Sequence, residues 1–137
     1  MTIADELMDQ LVAAARAARE RAYAPYSRFP VGAALLDEHG RIHAGCNIEN
    51  AAHPQGQCAE ASAIAHLILA GGTRILAAAV VGVAERPVTP CGGCRQRLRE
   101  FGADDLPIWV ADMNAIRGRY TLGELLPASF GPDHLAS

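Results

Sequence analysis

Two short cysteine motifs restrict this chain more than anything else in it. "CAE" stands at 58–60 and "PCGGC" at 90–94, and each opens a stretch that reads as a helix. "CAEASAIAHLILAGG" (58–72) is small and apolar and ends on paired glycines, while Cys91 to Phe101 is amphipathic and closed by Gly102. Between them "RILAAAVVGVA" (74–84) is a continuous apolar run bounded by turn residues, the pattern of a strand buried on both faces. Strand-linked crossovers of this kind bring helix N-termini to one edge of a sheet. Cys58, Cys91 and Cys94 are therefore expected to meet.

The rest of the chain fits that frame. Residues 3–23 carry apolar positions at helical spacing, with Thr2 as the N-cap and Pro25 as a stop. "AYAPYSRFP" (22–30) is a loop, and 31–50 reads as two strands joined by "DEHG". "LPIWVAD" (106–112) is a further strand, and 118–131 gives a short strand, one helical turn and a terminal loop. The expected fold is α/β, a three-layer α/β/α sandwich around a mixed sheet of about five strands. All 137 residues (1–137) form one domain of a size that buries a real core.

Charge removes several classes of function. The net charge is −3, which argues against a nucleic-acid surface, since phosphate contacts need clustered lysine and arginine. No stretch has the length of a membrane span, and "MTIADELMDQ" places acids where a secretory signal needs positive charge. A cytoplasmic protein is expected, in which four cysteines point to metal or catalysis ahead of disulfides.

A lone C-x-x-C is compatible with a redox dithiol, a structural zinc site or coincidence. Three thiolates at two helix N-termini suit a catalytic Zn²⁺ better, since such a site keeps one of its four positions open to water. A structural site prefers a fourth protein ligand, and the spare cysteine, Cys46, follows strand-like residues and reads as a small buried apolar group. Glu60, two residues after Cys58, can reach the open side of the metal and move protons there. Its alternative role is that of a first-turn carboxylate favoured by the helix dipole. Zinc deaminases of nucleobases carry this same combination of x-E and P-C-x-x-C. Among the histidines, His39 and His134 are expected in solvent, His43 on the surface of a strand and His66 away from the cysteines.

The chain resembles the small homotetrameric cytidine deaminases of nucleoside salvage. The likeness extends over "YSRFPVGAALL" (26–36), "GCNIENAA" (45–52), "CAE", "PCGGCRQRLREFG" (90–102) and "LGELLPASFGPDHL" (122–135). It implies hydrolysis of cytidine and 2'-deoxycytidine to uridine and 2'-deoxyuridine, with one Zn²⁺ per chain on Cys58, Cys91 and Cys94 and with Glu60 as acid and base. It further implies that Asn47 and Glu49 hold the ribose and Phe29 stacks on the pyrimidine. Phe130 would close a neighbouring subunit's pocket in a homotetramer. Two departures stand out. Ala61 and Ser62 occupy positions where the family has an arginine, which bonds the ligand sulfurs, and a small hydroxyl residue; the helix N-termini are expected to supply part of the missing charge and Arg95 more of it. His53 stands where an aromatic residue normally borders the pocket. Remaining alternatives are a deaminase of another aminopyrimidine or of a cytosine-bearing antibiotic, and a zinc-stabilised module without activity.

Overall fold

In the computed structural model, which describes residues 3–136, five strands and four helices are arranged as the alternation of apolar residues dictates. The strands are β1 (Gly32–Asp37), β2 (Ile42–Cys46), β3 (Ile75–Val81), β4 (Pro107–Ala111) and β5 (Ile116–Thr121). The helices are α1 (Ile3–Arg19), α2 (Ala59–Leu69), α3 (Gly92–Phe101) and the single turn α4 (Leu122–Leu125). Sheet order is β2-β1-β3-β4-β5, in which β3 and β4 run parallel and the other neighbours antiparallel. The expected three-layer sandwich on a mixed five-stranded sheet is the fold observed.

The period of two along the central strands sorts their side chains into two cores. Ala33, Leu35, Ala78, Ile108 and Val110 pack with Ala59, Ala63 and Leu67 of α2 and Leu98 of α3. Their neighbours in the chain, Ala34, Ala77, Ala79, Val81, Trp109 and Ala111, pack with Leu11, Val12 and Ala15 of α1 on the opposite face. Alanines predominate on these strands, so the helices lie close to the sheet. Glycines mark the closest approaches: a Cβ on Gly32 of β1 would stand 1.9 Å from the Ala15 carbonyl oxygen of α1, and one on Gly45 of β2 would stand 2.4 Å from the Ala63 amide nitrogen and 2.7 Å from the Ala59 carbonyl oxygen of α2.

Two details differ from the expectation. Helix α1 ends at Arg19 and not near residue 23, because the backbone at Tyr23 pairs elsewhere: its N–H donates to the Asn47 carbonyl, and its carbonyl accepts from the Glu49 N–H. The Thr2 cap lies outside the described residues. His43 is not a surface residue. Its side chain is 10% exposed and bonded at 2.8 Å to Asp37, which is fully buried. Asp37 also accepts from the Arg41 guanidinium at 2.9 Å and from the His39 and Arg41 amides. Burial by itself pushes its carboxyl up, but these donors outweigh that and hold it well below the usual range.

The C-terminal stretch is fastened to α3 by polar contacts. Arg99 reaches Ser129 Oγ at 3.0 Å and Asp133 at 2.6 Å, and Gln96 donates to the Phe130 carbonyl at 2.8 Å.

Candidate active site

Cys58 is the N-cap of α2 and Cys91 the N-cap of α3, both in extended backbone. Both sulfurs thus stand at the first turns of their helices, beside N–H groups that no intrahelical carbonyl satisfies. Cys94 follows one turn into α3 and is completely buried. The three sulfurs lie within 4.8 Å of one another, with Cys58 and Cys91 at 3.9 Å. Tetrahedral zinc at about 2.3 Å from each sulfur sets them about 3.8 Å apart. The donor set fits that ion in number, chemistry and spacing. Cys46, at the end of β2, is half-buried and outside the group.

Left to themselves, the sulfurs share protons unequally. Burial pushes the Cys94 thiol far up, and the charges of Glu60 and the neighbouring cysteines add to it. Cys58 is pushed up for the same first reason. Burial acts on Cys91 as well, but the Cys94 amide and the two other thiols donate to it and carry it below its usual value. A cluster that resists three negative charges is one that a divalent cation completes.

Glu60 is 4% exposed, in the first turn of α2. Burial raises its pKa, opposed by hydrogen bonds from its own amide and from Cys94 and by the charge of Arg97. It looks into a cavity of about 260 Å³ walled by Phe29, Val31, Val80, Val88 and Thr89, with Cys58, Cys91, Ser27 and Asn47 at its polar side. The structure thus brings together Cys58, Cys91, Cys94, Glu60, Phe29 and Asn47. Val88 and Thr89 of the β3–α3 connection, together with Val80, carry no mark of this role in the sequence; only the place of the first two just before "PCGGC" could have pointed to them.

Asn47 and Glu49 are both engaged with the loop opposite. Asn47 accepts from the Val31 amide at 2.8 Å and donates to the Phe29 carbonyl at 2.9 Å. Glu49 accepts from the Tyr26 and Ser27 amides at 2.9 and 3.1 Å and from the Ser27 hydroxyl. The Ser27 hydroxyl leads the causes that hold its carboxyl below the ordinary range. The two residues set the position of Phe29, which follows Arg28 in a left-handed conformation (φ 56°). Glu49 borders an adjoining hollow with Tyr26, Ser27 and His53, where the Tyr26 and His53 rings are 5.9 Å apart. Phe130 is 56% exposed and stacked on His134 at 4.9 Å, outside both cores.

Arg95 does not serve the cluster. Its guanidinium binds the Pro90 and Leu125 carbonyls, each at 2.8 Å, and Thr89 Oγ1 at 3.0 Å, fixing the loop before Cys91 to the end of α4. The arginine that meets a sulfur is Arg97, 3.6 Å from Cys94 Sγ.

Fold and site together define a zinc-dependent hydrolytic deaminase: three cysteines gathered at two helix N-termini, a buried carboxylate beside them and in front a largely apolar cavity with Phe29 on its wall. Residues 5–110 match the family model described as the cytidine and deoxycytidylate deaminase zinc-binding region, and the chain belongs to that family. It is 43% identical to a cytidine deaminase of Sporosarcina psychrophila, over 94% of this chain and 95% of the relative. With a cytidine deaminase of Mycobacterium tuberculosis it shares 46%, covering 83% of this chain and 82% of the other. A crystal structure of cytidine deaminase from Burkholderia pseudomallei superimposes with a TM-score of 0.84 at 42% identity, covering 95% of this chain and all of that one.

Proposed function

We propose that this protein deaminates cytidine and 2'-deoxycytidine to uridine and 2'-deoxyuridine, with release of ammonia, in cytoplasmic pyrimidine salvage. The observation that carries the reading is the cavity in which Glu60 and the cysteine cluster face Phe29 and Asn47. Cys58, Cys91 and Cys94 would hold one Zn²⁺. When bound there, the ion supplies the Lewis acidity that makes water nucleophilic at neutral pH.

Glu60 takes a proton from the attacking water and delivers it to N3 of the cytosine ring as the new C4–O bond forms. It then transfers the second proton to the exocyclic amine, the C4–N bond breaks, and ammonia leaves. A carboxyl group buried enough to have its pKa raised is suited to both directions of transfer. Phe29 offers a ring face to the base. The Asn47 amide has one donor hydrogen beyond its bond to Phe29, and the Glu49 carboxylate has about one acceptor site beyond its bonds to Tyr26 and Ser27, so both can bond sugar hydroxyls while holding the loop.

The active form is a homotetramer of the single 1–137 domain, with Phe130 of each chain screening a neighbour's cavity. Supporting this is the apolar surface a lone chain leaves in water: Tyr23, Tyr26, Ile48, Phe130 and Leu135 are 46–78% exposed.

The test is ammonia release from cytidine, 2'-deoxycytidine, free cytosine and a cytosine-bearing antibiotic nucleoside. Cytidine and deoxycytidine are expected to be turned over efficiently and cytosine poorly, because binding of the sugar positions the reacting ring. Comparable efficiency on cytosine would refute the sugar contacts. Activity confined to the antibiotic would move the substrate, and ammonia from none of the four would leave a zinc-stabilised module.

A further inference from the structure

The Cys94 sulfur has an unusual neighbour. Helix α3 places residue 97 one turn beyond Cys94, on the same face, and the Arg97 guanidinium lies over Gly93 with Nη1 3.6 Å from Cys94 Sγ. A Cβ on Gly93 would sit in ordinary contact with it, 3.4 Å from the same Nη1. On α2 the facing residue is Ala61, and the two line one groove of about 460 Å³ with Gln57, Ile64 and Gln96. Ala61 is too short to reach the sulfurs. Arg95, the other nearby cation, has its guanidinium committed to two carbonyls and a hydroxyl.

Three thiolates around a divalent cation leave a net charge of −1, in a place where Glu60 adds a further carboxylate. Permanent positive charge at a ligand sulfur stabilises that arrangement, and a guanidinium delivers it as a directed hydrogen bond. We propose that Arg97 is the positioning residue of the metal centre, offsetting from α3 the charge of the thiolate cluster that α2, with Ala61, leaves without a cation. The inference rests on the assignment of Cys58, Cys91 and Cys94 as zinc ligands. It adds a residue that touches neither substrate nor metal and acts through Cys94.

Zinc affinity of the purified protein, measured by competition with a chelating dye at fixed pH, tests it independently of turnover. Arg97→Ala is expected to weaken zinc binding about fivefold, the scale of a charge-assisted hydrogen bond reduced for an exposed guanidinium, with the circular dichroism unchanged. Arg97→Lys should retain part of the wild-type affinity. Ala61→Arg added to Arg97→Ala should restore most of it, because an arginine from α2 enters the same groove. Unchanged affinity in Arg97→Ala overturns the proposal while leaving the three-cysteine site intact. So does a loss that is as large in Arg97→Lys and that Ala61→Arg does not repair, since that would be lost helix packing. A wild-type protein that takes up no zinc overturns both this proposal and the ligand assignment beneath it.

Discussion

Gly45 offers a test of how rigidly the fold holds its chemistry, because it touches no substrate and no metal ligand. It pairs with Ala33 across the β1–β2 ladder, and its missing side chain is the space into which α2 settles. The Gly45→Ala methyl would stand 2.4 Å from the Ala63 nitrogen, 2.7 Å from the Ala59 oxygen and 2.8 Å from the Ser62 carbonyl carbon. All three are backbone atoms and cannot rotate aside. Ordinary contact needs about 3.4 Å or more, so α2 must withdraw from β2 by about 1 Å. Overpacking of this kind costs about 1–3 kcal/mol. The same shift carries Cys58 and Glu60 with the helix, and a misplacement of about 1 Å in a catalytic group costs up to about 100-fold in rate.

Two assays separate these effects. Thermal denaturation of the zinc-loaded protein should show a Tm lowered by about 3–10 °C. Ammonia release well below that Tm should fall about 10- to 100-fold. Gly40→Ala is the control: a Cβ there meets nothing within 4 Å, but φ is +81°, so it strains the β1–β2 turn far from the cysteines. It should cost stability and leave the rate within about twofold. A Gly45→Ala protein that keeps its full rate below its Tm would refute the claim that the β2–α2 contact sets the position of Glu60.

Glu60→Gln preserves volume in a buried site and removes the proton carrier, so zinc content should hold while turnover falls by about 10³ or more, roughly 4 kcal/mol of barrier. A tenfold loss or less would leave Glu60 only a structural role. Glu38 joins the β1–β2 turn to the α2–β3 connection through the Thr73 hydroxyl and the Thr73 and Arg74 amides, and its own amide first, then these donors, lower its pKa from 4.5 to about 2. A lowered folded pKa means that its stabilisation is full above 4.5 and is lost as pH falls from 4.5 to about 2, so urea midpoints should drop across that window and drop less steeply in Glu38→Gln. Phe130→Ala should raise KM with zinc unchanged, and light scattering of the active protein should give a mass well above the 14.5 kDa of one chain; an unaltered KM or a monomeric mass would remove Phe130 from the shared site.

The site's framework was legible because it depends on local signals. The C-terminal glycines of α2, the apolar run of β3 and the two cysteine motifs each specify their own element, and a crossover topology then admits few ways to place the helix N-termini. Side-chain commitments were less legible, because they depend on which face of an element meets which neighbour. Arg95 directly follows the last cysteine and so reads as the natural counter-charge, yet one residue along a helix turns the side chain about 100° away. Arg97, at i+3, is the position that shares the face of Cys94. His43 escapes a sequence reading for a related reason. Its partner Asp37 looks like a turn residue in "DEHG" but is the buried end of β1, and only the hairpin register brings the two together. The loop at 26–31 presents another difficulty: Asn47 and Glu49 bind its backbone, a role that alternation along an extended segment does not distinguish from reaching outward.

Those loop contacts bear on how the cavity recognises anything at all. Phe29 is 36% exposed, so the position of its backbone bears on where its ring lies. Asn47 fixes that backbone by bonding the residues at 29 and 31, and Glu49 fixes it from the other side through Tyr26 and Ser27. With the sugar bound as proposed, a hydroxyl on Asn47 or Glu49 would act on groups already ordering the Phe29 loop, and binding at the sugar end would be transmitted to the base end through a few hydrogen bonds. Free cytosine would meet Phe29 without that reinforcement. On this arrangement the sugar's contribution should show in kcat as well as in KM, because an ordered Phe29 holds the ring at the distance Glu60 requires.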